Sequence, residues 1–397
     1  MERLIRFSVL RIRQTDTSFT RYLYSDIDWG ERLIGILGAR GTGKTTMLLQ
    51  RIKHQHVDPE VALYLSLDDP WFQEHSLIDT TEDFVNRGGR FLYLDEVHKY
   101  PGWAASVKTL YDTFIGLHIV FTGSSILELQ KGDADLSRRV VSYHLEGMSF
   151  REYLNVTENL KLSPVTLEQL LGNHLNIAQE ISGQTIILKA FQNYLRQGYY
   201  PFFLENQETY HLKLMNTIMQ VLETDLMQVV HLKVESLNKL KGFLNVIAEI
   251  VPFQPNISEL AHKIQISRPM IYQFLDYLHR SCVIQLIYQD SKGMKKLEKP
   301  DKIYLNNPNL LFCMASGNPD KGTLRETFFV NQVRPNYQIK YGKPFDFWVD
   351  NRYAFEIGGK NKKTSQLQNR DNAFLALDDI ETGSQNRIPL WLFGFLY

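Results

Sequence analysis

Cysteine is scarce in this chain. Of 397 residues only Cys282 and Cys313 carry a thiol. Two thiols cannot build a disulfide framework or a four-thiolate zinc site, and such usage points to a reducing compartment, so a cytoplasmic location is expected. Excess charge is also missing. Lys plus Arg and Asp plus Glu each number 44, for a formal net charge of zero. This excludes a globally basic, histone-like nucleic-acid binder but leaves room for a local basic patch, because the field that matters is local. Long apolar runs are absent too. No window approaches about 18 uncharged apolar residues, so no membrane span and no membrane partner are expected. The opening MERLIRFSVLRIRQTDTSF alternates charge with apolar residues and is not expected to act as a signal peptide. The 44% hydrophobic and 22% charged content is ordinary for a globular chain and excludes wholesale disorder. At roughly 100–200 residues per domain, the length predicts two to four domains.

The strongest signal lies near the N-terminus. Residues 33–50 read LIGILGARGTGKTTMLLQ: a short apolar run, then Gly38-Ala39-Arg40-Gly41-Thr42-Gly43-Lys44-Thr45-Thr46, then an apolar helical pattern from Met47. This is the strand–GxxxxGK[ST]–helix context of a phosphate-binding loop. The glycines let backbone N–H groups turn inward around phosphate oxygens, and the helix N-terminus adds its positive dipole end. Lys44 is placed to reach the β- and γ-phosphates, and the Thr45 hydroxyl to ligate Mg²⁺. About fifty residues on, RFLYLDE (90–96) runs apolar into an acid pair. Asp95 is the candidate for holding the metal through water. Glu96 is the candidate for polarising the attacking water, the positioning role that phosphoryl transfer asks of a protein. A further apolar run from His118 to Phe121 ends in Thr122-Gly123-Ser124-Ser125. Thr122, and after it Ser124, is a candidate sensor of the γ-phosphate; the same residues also suit a helix cap. Arg138 or Arg139, in a polar loop, is a candidate arginine finger acting in cis or in trans; a solvated pair is the other reading.

Strands are expected at 33–37, 62–66, 90–94, 118–122 and 141–145 with helices between. That alternation predicts an α/β fold, a P-loop NTPase with a doubly wound parallel sheet and its ligand at the C-terminal strand ends.

The segments GARGTGKTT, YLSLDDPWF (64–72), LYLDEVHKYPGW (92–103), FTGSSILEL (121–129) and LSRRVVSYHLEGMSFREYL (136–154) resemble AAA-type ATPases of an archaeal and bacterial family with an uncharacterised C-terminal region. YLRQGYYPFF (194–203), IYLNNPNLL (303–311) and FEIGGKNKK (355–363) resemble it as well. The resemblance implies ATP as the nucleotide and a strand added between the phosphate-loop strand and the acidic strand. It also implies a middle winged-helix region and a restriction-endonuclease-like C-terminal domain. AAA-type proteins often form rings, so a homo-oligomer is a candidate state. The domain reading is 1–155 ATPase, 156–250 helical lid or connector, 251–310 winged-helix-like, and 311–397 endonuclease-like.

Residues 256–288 support the middle assignment independently. Asn256 or Ser258 can cap one helix and Ser267 a second, with Gln265-Ile266 as the turn, and a strand from Val283 to Tyr288 follows. The loop SKGMKKLEKPDK (291–302) brings Lys292, Lys295, Lys296, Lys299 and Lys302. Helix, helix and a basic hairpin look like a winged helix whose wing neutralises phosphates; a protein-contacting module with a solvated lysine loop is the alternative. Further on, Glu326 on a helix and Asp346 and Glu356 on a hairpin outline a metal-dependent nuclease site. Such a site also needs a lysine two residues after the second acid. That position is Gly358, and the nearest lysine is Lys360. The domain is therefore expected to bind without cutting. The functional reading is a Mg²⁺-dependent ATPase that drives or switches a DNA- or protein-contacting module. A slow nucleotide-dependent switch and an ATP-controlled nuclease are the alternatives.

Overall fold

In the computed structural model, residues 1–55, 58, 60–125, 136, 138–230, 232–252, 255–289, 299–315, 317–367 and 370–397 are described. Chain contacts divide it into two units. One comprises Met1–Glu146 with Met219–Lys233, the other Gly147–Ile218 with Val234–Tyr397.

In the first unit, apolar runs bounded by polar turns form five strands: β1 (Leu33–Gly38), β2 (Ala62–Ser66), β3 (Phe91–Asp95), β4 (His118–Ser124) and β5 (Val141–His144). All pairings are parallel, in the order β2-β3-β4-β1-β5. β4 is thus the strand added between β1 and β3. Central strands are apolar at successive positions because both sheet faces are covered. Ile34, Ile36, Tyr64, Tyr93 and Val120 share a core with Met47, Leu48 and Ile52 of the helix Lys44–Gln55. The intervening Leu92, Leu94, Ile119 and Phe121 are equally buried, and Trp103, at the start of helix Trp103–Thr113, lies 5.3 Å from the Phe121 ring. The sheet is therefore doubly wound, as expected. The crossover order brings the ends of β1, β3 and β4 side by side.

The second unit contains the helices Phe150–Thr157, Leu167–Ser182 and Ile187–Gln197, the first two opened by capping boxes at Ser149/Glu152 and Thr166/Gln169. Phe150 sits at the centre of a ring cluster with Phe191, Tyr194, Trp391 and Phe395. Helices Ile257–Ile264 and Arg268–Arg280 are capped by Asn256 and Ser267, and Gln265 makes the left-handed turn between them. The antiparallel pair β6 (Ile284–Ile287) and β7 (Lys302–Leu305) follows. Lys292, Lys295 and Lys296 lie outside the described residues. A second five-stranded sheet closes the chain: β8 (Ile339–Gly342), β9 (Phe345–Val349), β10 (Tyr353–Gly359), β11 (Ala373–Asp378) and β12 (Arg387–Pro389), in the order β12-β11-β10-β9-β8. β8, β9 and β10 pair antiparallel, whereas β10, β11 and β12 pair parallel. The helix Lys321–Val333 packs on β10.

Of the region expected to be a lid or connector, residues 219–233 cluster with the first unit and the rest with the second. Among the described residues, no helix is long and apolar enough to cross a membrane.

Candidate functional site

The loop after β1 turns back on itself at Gly41 (φ 84°) and Gly43 (φ 95°), backbone conformations that a side chain would strain. At Gly38 the constraint is space, since a Cβ there would stand 2.3 Å from the Leu145 carbonyl oxygen. Thr42 is fully buried and its hydroxyl donates to the Ala39 carbonyl at 2.9 Å, bracing the loop from inside. Lys44 is buried, and its Nζ donates to the Gly38 and Ala39 carbonyls at 3.0 and 2.8 Å. The ammonium is therefore parked against the loop it would leave for a phosphate. Thr46 faces solvent at the start of the helix.

Asp95, at the tip of β3, is buried and accepts three hydroxyls. Thr45 Oγ1 and Tyr64 OH each donate to Oδ2 at 2.8 Å, and Thr122 Oγ1 donates to Oδ1. Thr122 Oγ1 also accepts the Glu96 backbone N–H at 3.1 Å. The Thr122 hydroxyl is thus a fully buried bridge between the two acids. Burial pushes the Tyr64 phenol well above its ordinary pKa, and the Asp95 charge adds to the shift, so Tyr64 stays a donor. Glu96 occupies a left-handed conformation, φ 56° and ψ 45°. This left-handed turn ends β3 and sets the direction in which the chain leaves the strand.

The donors fit a magnesium ion: a hydroxyl and a carboxylate oxygen, both hard ligands, stand 2.8 Å apart beside the phosphate loop. Among the described residues, no cluster of three or more His, Cys, Asp or Glu could form an all-protein cage. Mg²⁺ that shares its shell with phosphates and water requires none. A cavity of about 650 Å³ opens here, with Arg40, Thr45, Tyr64, Ser66, Asp95 and Glu96 in its wall.

The two candidate arginines lie in different settings. Arg138 is exposed, whereas Arg139 holds Asp112 through Nε and Nη2 at 2.9 and 3.1 Å. The guanidinium close to Glu96 is that of Arg40, with Nη1 3.8 Å from Oε2. Sequence reasoning also missed Arg21. It is buried, and it donates to the Thr42 carbonyl and, at 2.9 Å, to the Glu146 carbonyl, tying the loop to the end of β5. Asp225 and Tyr64 went unnoticed as well, because neither carries a motif.

The C-terminal acids rearrange. Glu326 Oε2 accepts from Lys302 Nζ at 2.9 Å and Tyr304 OH at 2.6 Å, so the acid read as a metal ligand and the lysine read as part of a wing are each other's partners. Asp346 and Glu356 do come together, bridged by Lys362: Nζ stands 2.5 Å from Glu356 Oε2 and 3.4 Å from Asp346 Oδ2. The lysine is supplied neither at position 358 nor by Lys360. Gly358 makes room for it, since a Cβ there would lie 2.3 Å from Lys362 Cδ. The premise for a domain lacking that cation is thereby corrected. Burial raises the Glu356 pKa, with Lys362 pulling against the shift and Asp346 adding to it. Burial also opposes the Lys362 charge, but Glu356 and Asp346 outweigh it and raise its pKa. On the helix Arg268–Arg280, Arg268 is exposed, while Arg280 pairs with Asp276 at 2.8 Å and His279 contacts Arg334.

Comparison with known proteins bears on the domain that carries the first of these sites. Residues 30–154 match the AAA domain family, and residues 188–321 match a domain of unknown function, DUF8612. Residues 30–154 are thus an AAA-type P-loop domain. Uncharacterized protein MJ1637 of Methanocaldococcus jannaschii is 30% identical over 289 residues, which cover 69% of this chain. The match spans 60% of that relative's length. Among solved structures, AMPPCP-bound DnaA from Aquifex aeolicus aligns over 70% of this chain and 88% of its own, at 19% identity and a TM-score of 0.27. C. elegans PCH-2 aligns over 40% and 44%, at 17% identity and a TM-score of 0.26.

Proposed function

We propose that the chain is a Mg²⁺-dependent ATPase whose nucleotide cycle drives or switches a DNA- or protein-contacting module in its C-terminal half. The observation that carries this reading is the convergence of Lys44, Thr45, Asp95 and Glu96 at the ends of β1 and β3, with Thr45 and Asp95 2.8 Å apart. Lys44 exchanges the Gly38 and Ala39 carbonyls for the β- and γ-phosphates. Thr45 and Asp95 hold the metal, directly and through water; when bound, the ion neutralises phosphate charge. Glu96 takes the proton of the attacking water. Thr122 keeps Asp95 and the Glu96 main chain in register. A purely nucleotide-binding switch would not need Glu96. The exposed Arg268 suits a phosphate of a nucleic acid or an acidic group of a protein. Phosphate release measured with no DNA, single-stranded DNA and double-stranded DNA tests the reading. Absence of turnover under all three conditions removes it, and stimulation by one form identifies the partner class.

Lys362 favours a second reading, an ATP-controlled nuclease. Asp346 and Glu356 would hold a divalent cation, which supplies Lewis acidity at the scissile phosphate, and Lys362 provides the ammonium beside the attacking water. Plasmid DNA and RNA incubated with Mg²⁺ or Mn²⁺ and ATP test it. Cleavage that is lost in Glu356→Ala and kept in a control substitution at Lys360 supports it, and intact substrate removes it.

A further inference from the structure

The segment Met219–Lys233 leaves the second unit, joins the ATPase unit and returns. Its stretch Val221–Leu226 is π-helical, a rare geometry frequent at functional sites. Within it lies Asp225, whose residue surface is fully buried. Its carboxylate meets three cationic or potentially cationic groups. Lys99 Nζ lies 2.6 Å from Oδ1, Arg40 Nη1 lies 3.2 Å from Oδ2, and His98 Nε2 lies 3.5 Å from Oδ1. Burial alone would raise the Asp225 pKa, but His98, Lys99 and Arg40 reverse the shift and hold it well below the carboxylate range. Asp225 is therefore charged, a costly state for a buried group unless it is paired.

The distances rank the partners. Lys99 makes the short contact, so the Asp225 charge is already answered. Arg40 makes a looser one and leans 3.8 Å from Glu96 Oε2. About a quarter of the Arg40 side chain remains exposed. A guanidinium beside the water-polarising acid, within the phosphate loop and held through Nη1 by both Asp225 oxygens at 3.3 and 3.2 Å, is placed to offer its remaining N–H donors to a γ-phosphate oxygen. His98 Nε2 lies 3.2 Å from Glu96 Oε2.

We propose that Arg40 is the arginine of the hydrolysis site, acting in cis, and that Asp225 is its positioning residue, so that turnover requires the segment Met219–Lys233 to be docked. The inference rests on the ATPase reading. In the step it serves, a water oxygen bonds to the γ-phosphorus and its proton passes to Glu96. The bond from the γ-phosphorus to the bridging oxygen breaks with its electron pair on that oxygen. ADP and phosphate result, and Arg40 stabilises the charge on the γ-phosphoryl oxygens as this happens. Arg40 is thus distinguished from Lys44, which binds nucleotide in the ground state as well. Asp225 is delivered from about 185 positions further along the chain, so whatever moves its segment sets the rate of hydrolysis.

The test uses the full chain and separates kcat from KM in phosphate release, beside equilibrium binding of a fluorescent ATP analogue. Arg40→Gln should lower kcat about a hundredfold or more, in the manner of other arginines serving phosphoryl transfer, while binding changes only about threefold. Asp225→Asn, which keeps the side chain's shape, should lower kcat about tenfold or more with KM little changed. The double variant should be no slower than Arg40→Gln, because Asp225 acts through Arg40. Arg40→Lys should recover part of the loss. The proposal is overturned if Arg40→Gln turns over at the wild-type rate, if the two single losses multiply in the double variant, or if Asp225→Asn raises kcat. Should Asp225→Asn fail to fold, Arg40→Gln alone still decides. A wild-type chain that binds nucleotide but never releases phosphate overturns the ATPase reading and this inference with it. Normal wild-type turnover with unaffected variants overturns the inference alone.

Discussion

At the scale of single residues, the site separates groups that hold nucleotide from groups that act on it. Lys44 is buried with its ammonium on two loop carbonyls, so Lys44→Ala removes charge-assisted bonds worth about 1–3 kcal/mol in the resting protein. The expected outcome is a folded protein whose nucleotide affinity and hydrolysis both fall sharply, checked by thermal melting and by binding of a labelled nucleotide. Wild-type turnover in this variant would show that the loop is not the site. Glu96 is different. Its backbone N–H is held by the Thr122 hydroxyl, and its carboxylate stands 3.8 Å from the Arg40 guanidinium and 3.2 Å from His98 Nε2. Glu96→Gln should retain ATP binding and slow hydrolysis about a hundredfold or more, the size of a positioned base. If hydrolysis is unchanged in Glu96→Gln while Asp95→Asn abolishes metal-dependent binding, the base lies elsewhere.

At the scale of elements, the first sheet was legible because buried parallel strands are written as apolar runs with polar ends. All five expected spans agree with the strands to within two residues at either end. Strand order was not legible, since periodicity says nothing about which neighbours pair, and only the crossover through β4 puts Thr122 beside Asp95. Asp225 escaped for a related reason: a single acid in a Leu/Met-rich helical stretch has no local signature, and its partners Arg40 and Lys99 are distant in sequence. Lys362 carries no signature in the sequence, because its place beside the acids depends on the chain turning after β10 and folding the lysine back over Gly358. Its removal gives a signed expectation. A carboxyl whose folded pKa lies above its unfolded value loses stability as pH rises through that interval, because the unfolded chain sheds the proton first. Burial already raises Glu356, and without Lys362 the raising grows. Lys362→Met should therefore lower the melting temperature more at about pH 7.5 than at about pH 4.5, where a protonated Glu356 no longer needs a cation. Equal losses at both values would mean that Lys362 acts through packing alone.

At the scale of the whole molecule, the two units meet acid differently. The nucleotide unit buries carboxylates that are bonded by hydroxyls or cations. The second unit holds a buried histidine, His174, and a half-buried one, His211, each with a lowered pKa. Burial lowers the pKa of His174, with the Leu171 main chain opposing the shift only in part, and burial lowers that of His211, with Arg196 adding to it. A base whose folded pKa is depressed binds fewer protons folded than unfolded, from about pH 6.5 down to the folded value. Stability in that window rises with pH, so the second unit should weaken as pH falls through about 6.5 and level off below the folded values. His174 is the sharper probe because its helix, Leu167–Ser182, packs on β12 and Gly383 leaves room beside its ring, where a Cβ would lie 3.0 Å from Cδ2. Hydrogen exchange followed by mass spectrometry, corrected for the intrinsic pH dependence, should show amides of Leu167–Ser182 opening more readily at about pH 5.5 than at about pH 7.5. Amides of β1 and β3 should show a smaller change. His174→Leu removes the titrating group and should flatten the dependence in that helix. A variant with the wild-type slope would assign the acid response to His211 or to carboxylates of the same unit. Protection of β1 and β3 falling in step with the helix would show that acid acts on the chain as one cooperative body.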